Sequence, residues 1–273
     1  MVTPLTWLLD EKSDEAQLND LRPAIESIGD KHITISRQEA RYGTVERTLS
    51  LHASPTFAYG SIEFVKAVRP DFYPGKWCDW TELRCDRYFA KLGELLLSDD
   101  YVLLPAFEVI RRLDGILKDW GSVFLRPCRA DKPFSGFVAS RDTPNDLERR
   151  FEKMAAHDLV VVARVKPIEA EYRMVAVRGK GVVATSQYMQ EGEFYSQSKV
   201  PAEALRIAEA VIQILGDDFP DPMYIVDIAK SQGAYRLLEI NGFSYAVLYA
   251  CDLEATVRAA HEEALREWRD AQN

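Results

Sequence analysis

The chain has 273 residues, of which 47% are hydrophobic and 28% are charged. This length suits one large domain or two small ones, and the composition is that of a folded globular protein rather than a disordered one. The 43 acidic residues outnumber the 34 basic residues and give a formal net charge of −9. Because such a surface repels phosphate backbones and anionic lipids, we expect no binding to nucleic acid or membranes through bulk charge, although local basic sites are still allowed.

The start of the chain and its cysteines predict a cytoplasmic protein with free thiols. The N-terminal apolar stretch ends at Asp10, which is too short for a signal peptide, and no segment approaches the ~20 apolar residues that cross a bilayer. Cysteines and histidines are scattered and lack the spacing of a zinc site. The residues expected to be buried thiols are Cys78, Cys85, Cys128 and Cys251.

The first hundred residues predict an α/β domain. Strands are expected at 6–10, 32–36 and 56–65, with a helix at 10–30. Gly60 and Ser61 interrupt the third run and suit a tight turn at the carboxyl edge of a sheet, where a substrate pocket is expected. A helical period begins at Arg84, and the change of pattern near 98–105 marks the domain boundary.

The rest of the chain predicts α+β structure with hairpins. Helices are expected at 105–120, 143–157, 202–215 and 253–268, the second opened by a capping box at 143–146. Strands are expected at 122–127, 137–140, 159–165, 171–177, 182–189, 223–230 and 234–241. The last two amphipathic helices are expected to pack on the sheet, and the oligomeric state stays open.

The final hairpin carries oxygen ligands on one face. A strand period of two places Glu239 and Asn241 together, and pairing across the turn brings Asp227 close to them. Carboxylate and amide oxygens suit Mg²⁺, which is held by few carboxylates together with phosphates. The alternative is a solvated polar face of an antiparallel sheet.

Two other segments carry cations. The strand FLRP delivers Arg126, and the loop after it offers Lys132 before Ser135 and Gly136, as phosphate-binding loops do. Arg173 lies on one strand face with Glu169 and could meet a phosphate or a carboxylate. The alternatives are an incidental basic loop and an exposed ion pair.

In this order, the segments FLRP, LVVVARV, EYRMVAV, MYIVDIA and LLEIN resemble the ATP-grasp superfamily over roughly residues 105–268. The chain is similar to the clade marked by two arginines and one lysine, which are here Arg126, Arg173 and Lys132. The resemblance implies an α+β fold: an α/β N-terminal domain at 1–100, then an ATP-grasp region at 101–273 with an antiparallel sheet. Its two α+β subdomains are expected at about 105–160 and 161–273.

The resemblance also implies roles for particular residues. ATP would be clamped between the subdomains, with its phosphates on Arg126 and Lys132. The other expected nucleotide contacts are Ala163, Arg164 and Val165 at the adenine hinge, with Glu171 and Asp227. Asp227, Glu239 and Asn241 would carry Mg²⁺. Arg173 would face the γ-phosphate or the substrate carboxylate, and the expected catalytic residues are Arg173, Arg126 and Lys132.

Three functions follow as hypotheses. The first is an ATP- and Mg²⁺-dependent ligase that activates a small carboxylate as an acylphosphate, which an amine such as an amino acid or peptide then attacks. The second is a phosphotransferase acting on a small molecule. The third is a nucleotide-binding module without turnover. The sequence identifies neither the acid nor the acceptor.

Overall fold

The structure is a computed structural model that describes residues 4–43, 54–142, 146–217 and 219–272. The N-terminal part forms a parallel four-stranded sheet in the order β2-β1-β3-β4. Its elements are β1 (Thr6–Asp10), α1 (Glu15–Ser27), β2 (Lys31–Ile35), α2 (Arg37–Tyr42), β3 (Thr56–Tyr59), α3 (Ile62–Ala67), β4 (Pro74–Gly75) and α4 (Cys85–Leu92).

The middle of the chain forms an antiparallel four-stranded sheet in the order β5-β8-β6-β7, which we call the small sheet and which is covered by one helix. Its elements are β5 (Val102–Pro105), α5 (Ala106–Trp120), β6 (Ser122–Pro127), β7 (Phe137–Ser140), α6 (Leu147–Arg150) and β8 (Leu159–Arg164). Helix α5 buries Val109, Leu113 and Leu117 against the sheet because they recur every four residues along one face.

The C-terminal part forms an antiparallel five-stranded sheet in the order β11-β10-β9-β12-β13. Its elements are β9 (Ala170–Val177), β10 (Gly181–Gln190), β11 (Glu193–Gln197), α7 (Ala202–Leu215), β12 (Met223–Ser231), β13 (Ala234–Gly242) and α8 (Leu253–Gln272). Both late helices pack inside the molecule as expected, α7 against β12 and β13, and α8 against β10 and α1.

The N-terminal and C-terminal sheets share their hydrophobic cores. Leu8 and Ala58 belong to the same buried cluster as Tyr224 and Val226 of β12. Fully buried Asp30 joins the N-terminal sheet to α8, because it accepts hydrogen bonds from Leu5 N and Trp7 Nε1 and lies 2.7 Å from His261 Nδ1. The linker after α4 then follows β13, where Leu97 N donates to Leu237 O at 2.8 Å.

The mixed helices and antiparallel sheets confirm the α+β class, but some elements differ from the prediction. The predicted strand at 56–65 stops at Tyr59, and Ser61 caps α3 through its hydroxyl, which accepts from Phe64 N. The predicted helix at 143–157 is only one turn, α6, because Asp146 caps it and Phe151 already turns away; residues 143–145 of the predicted capping box lie outside the described residues. β5, β11 and α2 were not predicted.

The four cysteines are buried and free, as predicted. None of the helices in the described part of the chain is long and apolar enough to span a bilayer.

A strap between β4 and α4 is held against the end of β13. Trp77 and Ser244 exchange two hydrogen bonds, and Asp221 Oδ2 accepts from Asp79 N at 3.0 Å. Asp221 is 7% exposed, and burial raises its pKa to about 7, with Asp79 and Glu267 adding repulsion. Folding therefore favours the protonated, neutral form of Asp221 over the charged form.

We expect Asp221→Asn to stabilise the protein at pH 8 by about 1–2 kcal/mol, a discounted share of ~1.4 kcal/mol per pKa unit. Below about pH 3 Asp221 is largely protonated in both the folded and unfolded states, so the difference in stability between the wild type and Asp221→Asn should shrink as the pH falls towards that value. As the pH rises towards 7, the unfolded wild-type chain releases this proton first, and the folded state loses stability. Urea unfolding of both proteins between pH 4 and pH 8 measures the difference.

The matched control is Asp119→Asn on the exposed face of α5, which should not change the pH dependence. Parallel pH profiles for the wild type and Asp221→Asn would contradict the expectation.

Candidate active site

Three charged side chains form one row across the five-stranded sheet. Asp227 on β12 is in register with Glu239 on β13 and with Arg173 on β9. Because side chains alternate along a strand, Glu171 and Asn241, each two residues away, lie on the same face. The predicted pairing of the hairpin is confirmed, since it brings Asp227 directly opposite Glu239.

Arg173 and Asp227 form the most buried ion pair of this row. The guanidinium donates from Nε and Nη2 to the two carboxylate oxygens at 2.8 and 2.7 Å, and its Nη1 donates to Val247 O at 2.6 Å. Asp227 is fully buried. Burial opposes the charge of Arg173, but the Asp227 carboxylate outweighs it and raises the pKa of the guanidinium.

Asn241 bridges the two carboxylates. Its Nδ2 lies 2.9 Å from Asp227 Oδ2 and 2.9 Å from Glu239 Oε1. Rotation of the amide by half a turn would put Oδ1 in the same place, which gives a set of three oxygen ligands. Among the residues that the structure describes, no three His, Cys, Asp or Glu side chains form a metal-binding group. The Asn241 amide is the third oxygen-bearing side chain of this group, beside Asp227 and Glu239.

Glu239 meets two cations from the small sheet. Arg126 Nη2 donates to Oε2 at 3.0 Å, Lys132 Nζ donates to Oε1 at 2.9 Å, and Arg126 Nη1 donates to Leu238 O at 3.2 Å. Burial alone would raise the pKa of Glu239, but Lys132 and Arg126, with the hydrogen bond from Asn241, lower it to about 2. The predicted phosphate-binding and metal-binding side chains thus neutralise one another.

The loop that delivers Lys132 folds tightly over the small sheet. Lys132 has a φ of 46°, in the left-handed region that few side chains adopt. At Gly136 an added Cβ would lie 2.7 Å from Phe124 Cζ, so only glycine lets the loop approach β6 this closely. This contact holds the loop beside Arg126.

Two adjoining cavities lie between the small sheet and the five-stranded sheet. The larger, about 290 Å³, contains the charged groups Arg126, Lys132, Glu171 and Glu239, with Ser135 and Gly136 of the loop. The smaller, about 170 Å³, is mainly apolar and is lined by Leu97, Ser98, Val138, Arg164, Val165 and Lys166. Both cavities share Phe124, Ile168 and Leu238. A polar chamber thus continues into an apolar slot.

The predicted hinge residues divide between core and cavity. Ala163 is fully buried and pairs with Phe124 in the strand ladder, and it does not line the slot. The ladder ends at Arg164, and the next residue, Val165, lines the slot. The Arg164 guanidinium lies over the Trp120 ring at 4.7 Å from the ring centroid. Lys166 closes the edge by donating to Leu97 O at 2.6 Å.

An aromatic cluster beside Arg173 was not predicted. The rings of Tyr188 and Tyr249 stack with centroids 4.7 Å apart, and the guanidinium lies 5.2 and 5.1 Å from them. Tyr188 also hydrogen-bonds Glu171; burial raises the pKa of Glu171, and this bond partly opposes the shift. Tyr249, at a φ of 51°, also contacts the exposed Phe194 of β11. No sequence spacing links these rings.

The expected substrate edge at Gly60 and Ser61 is closed by the protein itself. Ser61 N donates to Asp10 Oδ2 at 3.1 Å, and Gly60 N donates to Ser244 O at 2.9 Å. A Cβ at Gly60 would lie 2.3 Å from Asp10 Cβ, so the strand ends touch. This edge supports the 243–251 segment, whose Val247 carbonyl accepts from Arg173.

The molecule has three sheets, two of which enclose a charged cleft, and comparison with known proteins identifies its class. Residues 109–259 match the family model described as an ATP-grasp domain, family 2 of the clade with two arginines and one lysine. Because the match spans more than half of the chain, this protein belongs to that ATP-grasp family. No curated protein matches the chain.

Solved structures of similar fold are ATP-grasp proteins. The D-alanine–D-alanine ligase of Bacillus anthracis superposes with a TM-score of 0.61 at 12% identity and 100% coverage of both chains. D-cycloserine synthetase DcsG gives 0.59 at 15% identity, with 95% of this chain and 99% of that chain covered. A RimK domain protein of Sphaerobacter thermophilus gives 0.58 at 13% identity, with coverage of 95% and 99%. At these identities the likeness establishes the fold alone.

We expect Asp227→Asn to lower the free energy of unfolding by about 3 kcal/mol, because a buried guanidinium would lose its charged partner. The matched control on the same strand is Lys230→Met, which removes a more exposed ion pair with Glu169 and should leave stability almost unchanged. Urea denaturation at pH 7 measures both. Equal effects of the two substitutions would show that the Arg173–Asp227 pair has no special weight.

Proposed function

We propose that this protein is an ATP- and Mg²⁺-dependent ligase that joins a small carboxylate to an amine through an acylphosphate. The observation that carries the proposal is the contact of Arg126 and Lys132 with Glu239 across the polar chamber. The side chains that would bind phosphate and those that would bind the metal face one another there. The mainly apolar slot beside them suits a purine ring. Family membership supports the same chemistry.

The two cavities suggest how ATP lies. The base would enter the apolar slot between Leu97, Val165 and Leu238, with the backbone after Arg164 facing its edge. Glu171 borders the polar chamber, and a carboxylate is a natural acceptor for ribose hydroxyls. Contacts to the base rest on backbone and apolar surface, since Ala163 lies in the strand core.

The residues present fit a hard divalent cation. Asp227, Glu239 and Asn241 offer oxygen ligands within one small region, and phosphate oxygens would complete the set. When bound, Mg²⁺ would supply charge neutralisation on the transferring phosphoryl group. The protein holds the ligands in place through Arg173, whose guanidinium fixes both oxygens of Asp227.

The chain's own groups would act by alignment and electrostatics. Arg126 and Lys132 would leave Glu239 for the phosphate oxygens and neutralise the charge that develops during transfer. Arg173 would keep its two hydrogen bonds with Asp227. Its Nη1, which donates to Val247 O in this structure, could instead donate to the γ-phosphate or the substrate carboxylate. The acceptor amine would then attack the acylphosphate, and phosphate would leave.

Two other functions stay as alternatives. A phosphotransferase would use the same cations and oxygens and pass the γ-phosphate to a hydroxyl or carboxylate of a small molecule. A non-catalytic module would bind nucleotide without turnover; retention of the cations and carboxylates in mutual contact favours an active site instead. The division at about residue 100, the two subdomains and a cytoplasmic location are likewise part of the proposal.

Metal and nucleotide should bind cooperatively. Glu239 is paired with both Arg126 and Lys132, so ATP alone or Mg²⁺ alone must break these ion pairs and leave one side without a partner. When both bind, the phosphates replace Glu239 as the partner of the two cations, and Mg²⁺ replaces the cations as the partner of Glu239. We expect ATP to bind at least about tenfold more tightly with Mg²⁺ than without it, a coupling of ~1.4 kcal/mol. Isothermal titration calorimetry measures each combination.

Glu239→Gln sharpens this test. The variant frees both cations, so it should bind metal-free ATP at least as tightly as the wild type, yet gain little affinity when Mg²⁺ is added. The control is Glu209→Gln on the exposed face of α7, which should keep the full Mg²⁺ effect. Undetectable ATP binding by the wild type in either condition would rule out the proposed function.

Product analysis separates the candidate activities. Incubation with ATP, Mg²⁺ and pooled amino acids and small acids should yield ADP, phosphate and a new amide, detected by mass spectrometry. ADP with a stable phosphorylated product would indicate the phosphotransferase, and ATP binding without ADP would indicate the module. Arg126→Ala should lower ADP formation at least about a hundredfold, the scale for a lost charge-stabilising group.

A further inference from the structure

Two cysteines meet directly behind the phosphate-contacting strand. Cys128 follows Arg126 and Pro127 at the end of β6, and Cys85 is the first residue of α4. Cys85 N donates to Cys128 O at 2.9 Å, so the two backbones are in direct contact. The bonds on either side of this hydrogen bond limit the distance between the Cα atoms to about 7 Å, and the bend at the carbonyl carbon brings it within the range of about 4.4–6.8 Å that disulfides span.

The two thiols also share a proton network. Cys128 Sγ donates to Asp86 Oδ1 at 3.0 Å and accepts from Asp86 N at 3.2 Å. The Cys85 and Cys128 thiols are close enough for each to change the pKa of the other, and Cys85 Sγ lies 3.8 Å from Tyr88 Oη. The other two cysteines, Cys78 and Cys251, are buried elsewhere in the molecule.

The environment of Cys85 favours a thiolate. The hydrogen bond with Cys128 lowers its pKa to about 7, burial opposes this shift, and the charge of Arg126 assists it. A position at a helix N-terminus acts in the same direction. The neighbouring Cys128 thiol keeps its proton, because the hydrogen bond with Cys85 and burial raise its pKa. One nucleophilic sulfur and one protonated sulfur therefore lie side by side.

We propose that Cys85 and Cys128 form a peroxide-sensitive pair whose disulfide weakens nucleotide binding at the adjoining cleft. The Cys85 thiolate attacks one oxygen of the peroxide, the O–O bond breaks, and the other oxygen leaves as water after protonation. Cys128 then attacks the resulting sulfenic sulfur, forms the S–S bond, and releases a second water. Two thiols are oxidised and one peroxide is reduced to two waters.

The effect on the cleft follows from the path of the chain. Closing the bond brings the sulfurs to about 2.05 Å and pulls the Cys128 thiol away from its two contacts with Asp86. The end of β6, which carries Arg126 two residues earlier, then rests on a new covalent bond instead of on these contacts. Since phosphate binding needs Arg126 and Lys132 aligned together, a change in the position of Arg126 should lower affinity. This second half of the proposal rests on the proposed function.

The test treats the whole protein with hydrogen peroxide and maps its cysteines by peptide mass spectrometry. We expect a loss of about 2 Da, the two thiol hydrogens, in one cross-linked peptide that joins Cys85 to Cys128. MgATP affinity, measured on the same samples by calorimetry, should fall at least fivefold and recover after dithiothreitol. Absence of the cross-link, or a cross-link that leaves the affinity unchanged, would overturn the proposal.

Variants separate this pair from general oxidation. Without peroxide, Cys85→Ser and Cys128→Ser should each bind MgATP as tightly as the wild type, and peroxide should no longer lower this affinity. Cys78→Ala and Cys251→Ala should still lose affinity for MgATP after peroxide treatment. Mapping of the wild type identifies the linked cysteines even if a variant fails to fold. If the reduced wild type binds no MgATP, the proposed function fails, while the mapped peptide still decides whether the pair forms a disulfide.

Discussion

The row of Arg173, Asp227 and Glu239 across three neighbouring strands is the constraint on which the cleft depends. Asp227 is fully buried between its two partners, so its charge is tolerated only because Arg173 grips both oxygens. Strand register fixes this row, since a slip of one residue would turn every one of these side chains to the opposite face. The bonds of Asn241 and the position of Glu239 both follow from it.

The same row gives a chain of net charge −9 a cleft whose local charges balance. Locally, the positive charges of Arg126, Lys132 and Arg173 balance the negative charges of Asp227, Glu239 and Glu171, so the cleft is close to neutral where the surface is not. The ion pairs hold Arg126, Lys132 and Arg173 in place. Under the proposed function, the site would therefore select an anion together with its cation rather than either one alone.

Much of this cleft could be predicted from the sequence, because strand alternation and a two-residue turn determine which hairpin residues share a face. The basic loop and the late helices followed from local patterns in the same way. The Tyr188–Tyr249 stack could not, since it depends on a contact between distant segments with no common period. The position of the hinge relative to Ala163 could not be predicted either. The pairing of β8 ends at Arg164 because its partner β6 ends there, and the sequence of β8 alone does not reveal this. The apolar run at 56–65 predicts a single strand, but the cap at Ser61 makes its second half the start of helix α3.

Asp30 and His261, 231 residues apart, have a consequence for the order of synthesis. The parallel sheet is translated first, yet Leu5, Trp7 and Leu9 share a buried cluster with Val257 and Ala260 of α8. A ribosome-bound chain that lacks α8 exposes this apolar surface, and closing such distant contacts slows folding. The N-terminal third, although made first, can therefore complete its core only after α8 has been made.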